Sequence, residues 1–553
     1  MSRLDRYAGT LLVLSAMAIT CWLWRPIQHE NDIWWHLASG RYMVKNWTIP
    51  RADVFSSTAT GHLWINHEWF FQFLAYLLFQ MAGLTGVLLL KILLIVGAFA
   101  LVERRLSLTK TPIFIQWGIL AAAFWASRFG WNDRADLISV AFLAALMLGL
   151  TGARIDVDRK PPPTLWGWSL GFCLWANMHG GFVLGLAIAF AFSLGMMIEC
   201  RRWMSSWGAW AILCAASTLL NPWGYLLHRS TLEGIFLLQN GFIREWMKTP
   251  WDPLELFWIC LVVYWIVLGA TMRRRQQIPW SLILPGLLLS WMAVQHVRNV
   301  PYFMLGAFPA ASEDLSFWKR LPVSKWVKTK GNRWIIVEGV LTFLFAIYAA
   351  AHMRSGIDKR WQPVEACSFI SDAQLPGHFY NDYSFGGYWM WYFGTTRPVF
   401  IDGRLHTVEG YAELYRRIET AQAGPPAGWE AFLHSYGIDA AMVSYPDKAP
   451  LPAVFEIYFP RTRWALVYWD DTAMIFLRRL PEYESWIRRY EFSAIDPEAQ
   501  PAYVLSRMRD SSTLARQILE DLQRNTRLHP QSQRAREWLS LCGQGPAHQH
   551  GAL

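Results

Sequence analysis

Long apolar runs recur through about the first 350 residues of this chain, and basic residues gather at alternate ends of them, a pattern that narrows the accessible folds sharply. A helix needs roughly 17 to 25 mostly apolar residues to cross about 30 Å of hydrocarbon. Runs near that length lie at 8–24, 84–102, 112–129, 135–151, 164–178, 181–199, 206–220, 253–272, 279–296, 300–313 and 334–351. With 54% hydrophobic and only 17% charged residues, the chain carries more apolar surface than one soluble core consumes, so lipid must cover the excess. The expected fold class is a polytopic α-helical membrane protein of about 11 transmembrane helices, followed by a soluble α/β domain.

The basic clusters give the helices a direction. Arg3 and Arg6, Arg104 and Arg105, Arg154 with Arg159 and Lys160, Arg201 and Arg202, and Arg273 to Arg275 all fall on one side if the N-terminus is cytoplasmic. A last cluster from Lys319 to Arg333 obeys the same rule. Insertion thus accounts for the net charge of +10, and a nucleic-acid partner is not expected. The seven cysteines form no CxxC pair, so neither a disulfide framework nor a zinc site is readable. The first run ends in bulky tryptophans around Cys21 and reads as a retained helix rather than a cleaved leader.

Three regions follow: a transmembrane module at 1–351 with a long first outward loop at 25–83, an α/β domain at 352–496, and a helical tail at 497–553. Within the loop, HEWFFQFLAYLLFQMAG suits an amphipathic helix lying in the membrane interface. Beyond residue 352, helix-like and strand-like segments alternate: EACSFISDA, HFYND, SFGGYWMWYF, RPVFID, EGYAELYRRI, GWEAFLHSYG, IDAAMVS, WALVYWD and AMIFLRR. Two amphipathic helices are expected in the tail.

On this topology the outer face receives Glu30, Asp32, His36, His67, Glu68, Asp133, Arg134, Asn177, His179, Asn221, Glu245 and Arg298, all set in apolar aromatic sequence. The inner face receives mainly the basic loops. Carboxylates, imidazoles and arginines at one membrane surface supply a base, phosphate counter-charges and positioning donors. The sharpest element is HENDIWWHLASG, where Glu30 and Asp32, one residue apart, can approach one hydroxyl or one divalent cation.

An acidic E-x-D signature in a long first outward loop, on a polytopic chain with a C-terminal outer domain, resembles the GT-C glycosyltransferases. These include protein O-mannosyltransferases, aminoarabinose transferases acting on lipid A, and oligosaccharyltransferase catalytic subunits. The segments DIWWHLASGRYMVKNWTIPRADVFS, INHEW, LWANMHGGFVLG, LLNPWG, IREW and RNVPYF are similar to those of bacterial members. The resemblance implies Asp32 as the catalytic base, with Glu30 assisting it or binding metal, and Glu68 as a second acid or a helix-orienting residue. It implies that Lys91, with Arg134 or Arg298, neutralises the polyprenyl-phosphate leaving group, although Lys91 could instead snorkel towards headgroups. His179 would bind phosphate or acceptor, or serve structure at a helix break; His36, His67 and Glu245 would contact the acceptor. A second similarity links Tyr380, Asn381, Asp382, Tyr383 and Ser384 to the Trp-Trp-Asp-Tyr-Gly motif of oligosaccharyltransferases, making Asp382 and Tyr383 acceptor-binding candidates. The alternative there is a domain-closing turn at Gly386 and Gly387.

The implied activity is transfer of a sugar from a polyprenyl-phosphate carrier to a glycan, lipid or protein acceptor at the periplasmic side of a bacterial inner membrane, with inversion. No cofactor is required by the sequence, and a divalent cation, Mg or Mn, is an open addition. Membrane lipids are the expected surroundings. Two other classes stand beside it: a catalytically silent scaffold of the same fold, and a lipid-linked-sugar flippase, which would more usually carry its charges near the bilayer midplane within repeats.

Overall fold

The computed structural model describes residues 15, 31–132, 134–156, 158–238, 247–252, 255–312, 357, 359–445 and 455–543. The described chain falls into two compact units. One holds 39–49 and 65–312; the other holds 31–38, 50–64 and 357–543.

The first unit is helical. Its elements are α1 (Asp32–Asn46, of which the second half belongs here), α2 (Trp69–Leu108), α3 (Ile113–Ala126), α4 (Asp136–Ile155), α5 (Trp168–Ala176), α6 (Phe182–Glu199), α7 (Met204–Ser217), α8 (Tyr225–Leu238), α9 (Leu256–Arg275), α10 (Trp280–Gln295) and α11 (Val300–Gly306). Among the described residues, four helices are long and apolar enough to cross a membrane: Trp69–Leu108, Asp136–Ile155, Phe182–Glu199 and Leu256–Arg274. Ile115–Ala126 and Trp280–Gln295 are shorter and also apolar. The runs expected at 8–24 and 334–351 lie outside the described residues, apart from Ser15.

Helix α2 is broken where the expected outward loop ends. Ala82 and Gly83 leave helical geometry, and Gly83 takes a φ of 59°, which glycine adopts without a Cβ penalty. Helix α1, within the segment 25–83, carries an acid in its first turn and Lys45 in its last, charges that favour each helix end. Two other readings change. The run at 300–313 is not one helix, because Pro309 lacks the amide proton that would continue it, and a 3₁₀ turn at Phe308–Ser312 follows α11. Helix α8 was hidden by His228, Arg229 and Glu233, polar residues that lower its hydropathy even as Arg229 and Glu233 pair across one turn at 2.7 Å.

Packing within this unit relies on glycine at close crossings. A Cβ on Gly195 of α6 would lie 2.3 Å from the Ser281 amide nitrogen of α10, so only glycine lets these two backbones meet. Arg105 is not the solvated loop charge expected from its cluster. It is fully buried, donating from Nε to Thr151 at 2.8 Å and from Nη1 to the Gly306 carbonyl at 2.6 Å, and so ties α2 to α4 and α11.

The second unit is an α/β domain. After the first half of α1 come α12 (Val364–Asp372), β1 (Phe379–Asn381), α13 (Gly386–Phe393), α14 (Tyr411–Ala423), α15 (Pro426–Ser435), β2 (Ala440–Ser444), β3 (Trp464–Trp469), β4 (Ala473–Arg478), α16 (Glu484–Tyr490), α17 (Pro501–Asp510), α18 (Ser512–Leu528) and α19 (Gln533–Gly543). The sheet order is β1-β2-β4-β3, with β1 parallel to β2 and the other pairs antiparallel. Every residue of β3 is buried, so this strand reads as a continuous apolar run instead of an alternating one. RPVFID forms no strand. Its backbone pairs instead with the segment after α1: Val399 donates to the Phe55 carbonyl at 2.8 Å, and Ser57 donates to that of Val399 at 2.9 Å. Three helices, not two, follow residue 497, because Ser511 ends α17 and caps α18 through the Leu514 amide. Asp471, in the β3–β4 turn, caps α19 by accepting from the Gln533 and Arg534 amides at 2.7 and 2.9 Å.

Candidate functional site

In the second unit, Asp32 opens α1, where the helix N-terminus favours a negative charge. Residues Ile33 to Ser39 are buried, whereas Asp32 itself is half-buried. Its Oδ1 accepts from the Trp35 indole at 3.2 Å. A Cβ on Gly403 would lie 2.6 Å from that same oxygen, so the Asp32 carboxylate rests against bare backbone. Gln362 holds the preceding residue, donating to Asn31 Oδ1 at 3.0 Å. Trp34 packs edge-on against Tyr388 at 5.1 Å. His36 is buried, its ring 3.8 Å from that of Trp35.

Gly403 belongs to a charge clamp that sequence reasoning missed. Arg404 is fully buried and grips Asp402 with two bonds, Nε to Oδ1 at 2.8 Å and Nη2 to Oδ2 at 2.7 Å. Its remaining arm reaches Asp53 at 2.6 Å, 351 positions away in sequence. Trp64 lies under the guanidinium at 4.6 Å. Tyr411 donates to Asp402 at 3.1 Å, and the Ser56 amide donates to Asp53 at 3.1 Å. Burial opposes the charge on Arg404, but Asp402 and Asp53 hold the guanidinium well above its ordinary value. Burial likewise opposes the charge on Asp53, yet Arg404 and Ser56 keep its carboxyl below the usual range. TIPRADVFS and RPVFIDGR were visible as segments; nothing in a single sequence pairs residues so far apart.

The first unit brings together three residues that the sequence placed in different roles. Glu68 precedes α2, and its Oε1 lies 3.6 Å from His67 Nε2 and 3.7 Å from His179 Nε2. All three are buried to less than a tenth exposed. His179 sits in the turn between α5 and α6, and its Nδ1 accepts from the Gly181 amide at 3.1 Å and meets Ser139 Oγ at 2.6 Å. The Trp175 indole donates to Ser139 at 2.7 Å, which leaves the serine proton to point onward to His179. With Nδ1 accepting, the imidazole proton resides on Nε2, facing Glu68. Asn177, at the end of α5, accepts from the Trp69 indole at 2.9 Å and so ties this turn to the head of α2.

The remaining candidates are dispersed along the fold. Lys91 is half-buried on α2, Arg134 lies just before α4, and Arg298 sits in the turn between α10 and α11. Asp382 follows β1 and accepts from the Ser444 amide at 2.6 Å and its hydroxyl at 2.7 Å, closing the β1–β2 edge. Burial raises its carboxyl above the ordinary range, with the Ser444 bonds working against the rise. Tyr383 packs against Tyr415 at 5.2 Å. Glu30 and Glu245 lie outside the described residues, as does Asp133. Among the described residues, no three His, Cys, Asp or Glu side chains gather as a metal would require.

No family model matches this chain, and no curated protein matches it. Solved structures do. It is similar to the oligosaccharyltransferase AglB of Archaeoglobus fulgidus in complex with an inhibitory peptide and a dolichol-phosphate, at 10% identity over 96% of this chain and 86% of that one, with a TM-score of 0.57. The apo oligosaccharyltransferase of the same organism matches at 9% identity over 80% and 70%, with a TM-score of 0.55. ArnT from Cupriavidus metallidurans in the apo state matches at 11% identity over 85% and 97%, with a TM-score of 0.51. The chain therefore shares its fold with these solved structures.

Proposed function

We propose that this chain transfers a sugar from a polyprenyl-phosphate carrier to an acceptor on the periplasmic side of a bacterial inner membrane, crossing that membrane about eleven times. The reading is carried by Asp32: a half-buried carboxylate at a helix N-terminus, its position set by Trp35 and by the bare backbone of Gly403. The AglB structure with dolichol-phosphate supports the donor class, because a fold that accommodates that lipid suits a polyprenyl phosphate. Asp32 takes the acceptor proton while the acceptor oxygen attacks the anomeric carbon and the carrier leaves as its phosphate. A carboxylate placed within hydrogen-bond reach of the acceptor hydroxyl serves as such a base.

In this reading Glu68, between His67 and His179, forms the second polar group of the reaction, and Lys91 with Arg134 or Arg298 meets the phosphate. Glu30 and Asp32 are the place to look for a divalent cation, by the effect of EDTA and of Mg or Mn add-back on transfer.

The test is Asp32→Asn, which preserves an oxygen for Trp35 and removes the base. Transfer from a radiolabelled polyprenyl-phosphate sugar should fall by about 10² to 10⁴ with unchanged thermal melting. Full transfer by this variant would remove Asp32 from the mechanism. Absence of transfer in the wild-type protein, with lipid scrambling in vesicles instead, would favour a flippase.

A further inference from the structure

A cavity of about 340 Å³ opens in the second unit, away from the Arg404 clamp. Its walls are aromatic, with Tyr380, Trp429, Tyr445, Tyr458 and Phe459 contributing rings. Polar edges come from Asp382, Ser444, Gln422 and Glu498. No lysine, arginine or histidine is among the described residues lining it. Arg534, outside the described lining, lies over the Tyr445 ring at 3.9 Å and donates to the Pro497 carbonyl, so it braces the wall.

The volume falls at the small end of ligand pockets, enough for one or two rings and too small for a folded segment. Ring faces offer broad apolar contact to the C–H face of a pyranose, while hydroxyls around such a ring need donors and acceptors at the rim. Such donors and acceptors come from the Gln422 amide and the Ser444 hydroxyl, whereas Trp429, 1% exposed, has its indole N–H sealed from the cavity and serves as wall. Gln422 donates to the Tyr380 hydroxyl at 3.3 Å, and Tyr458 donates to the Gln422 carbonyl at 2.9 Å, which holds the rim in place.

The charges select among ligands. With no cation among the described lining residues, a uronic acid or a phosphate would enter uncompensated by them. An ammonium would look to Asp382 or Glu498; Glu498 is only 3% exposed, and the Asp382 carboxyl already takes the Ser444 amide, the Ser444 hydroxyl and the Tyr380 hydroxyl. Burial also raises Asp382 towards its neutral form, weakening it as a counter-ion. A neutral ring with several hydroxyls satisfies every wall.

We infer that this cavity binds a neutral sugar residue of the acceptor, so that the acceptor is a glycan rather than a bare peptide. The assignment as an acceptor subsite rests on the glycosyl-transfer reading; the sugar binding itself does not.

The experiment is saturation-transfer NMR on the full-length protein in nanodiscs, with N-acetylglucosamine and maltose as neutral probes, glucuronic acid as the anionic one and tetramethylammonium as the cationic one. Saturation should pass to a neutral sugar and fall at least five-fold in Tyr458→Ala and in Gln422→Ala. Gln422 and Tyr458 are only half-buried, so both variants are expected to fold, and either one alone keeps the test open. Silence from both neutral probes, a response only to glucuronic acid or tetramethylammonium, or equal signals in wild type and variants would overturn the proposal. Neutral-sugar binding that survives while Asp32→Asn retains full transfer would leave the pocket standing and sink the catalytic reading alone.

Discussion

Two buried polar clusters, one in each unit, are built on different rules. In the second unit, Arg404 meets Asp402 and Asp53 at 2.6 to 2.8 Å, with no exposure on the arginine or on either acid's side chain that pairs with it. In the first, Glu68 stands 3.6 and 3.7 Å from two imidazoles, at charge-pair range rather than hydrogen-bond range, in turns that open helices. A network with donors and acceptors matched at bonding distance has little left to offer a substrate; it fixes backbone. The clamp accordingly reads as architecture; the Glu68 group, set in turns that open helices, is the one whose part in the proposed transfer is to be tested.

The largest expected effect breaks the clamp. Arg404→Met leaves two carboxylates buried without their cation, and should destabilise the second unit by about 3 to 5 kcal/mol, seen as lost folded yield or a low melting transition. A variant that melts normally would show that the clamp is dispensable to architecture. Glu68→Gln should do the reverse, holding melting within about 1 kcal/mol while transfer falls by about 10². If it unfolds the protein at intact specific activity, the contrast between the clusters is wrong.

A finer test lies behind His179. Ser139→Ala removes the acceptor of the Trp175 indole and the donor to Nδ1, for a cost of about 1 to 2 kcal/mol in stability. Because Nδ1 is then less constrained, the pH profile of transfer should shift along with its rate; a purely structural serine would change only the melting temperature.

The smallest effect probes titration away from the clamp. His529 ends α18 with its ring against Tyr468 at 4.7 Å, and burial lowers its pKa although Glu365 pulls the other way. The folded state therefore binds fewer protons than the unfolded one, so stability is complete above the unfolded value of about 6.5 and declines as pH falls through it. His529→Gln should be free of that decline. Melting of the variant relative to wild type should rise between pH 7.5 and 5.5, by up to about 1 kcal/mol, and parallel curves would exclude His529 as the source.

Several features are legible in the amino-acid sequence alone. Hydropathy locates α4, α6, α9 and α10 within a few residues, since a spanning helix must be apolar along its length. In the α/β unit, β2, β3 and β4 are visible as short apolar runs, but the share of that unit drawn from 31–38 and 50–64 is not. Legibility fails where polar residues serve local ends, as in α8, or where a segment's partner is remote. RPVFID looks like a strand because of its apolar, β-branched centre, yet its bonds go to residues 55, 57 and 58 and to the side chain of Asn381 rather than to a strand ladder.

The sequence by itself determined that this chain carries several helices long and apolar enough to cross a membrane, and which acids and histidines are worth testing, because apolar length and side-chain chemistry are local properties. Only the tertiary structure decided that Asp53 and Asp402 share Arg404, that Glu68 lies between His67 and His179, and that Gly403 lies against Asp32. Those are pairings between distant positions, fixed by packing and by the need to satisfy buried charge, and no local pattern encodes them.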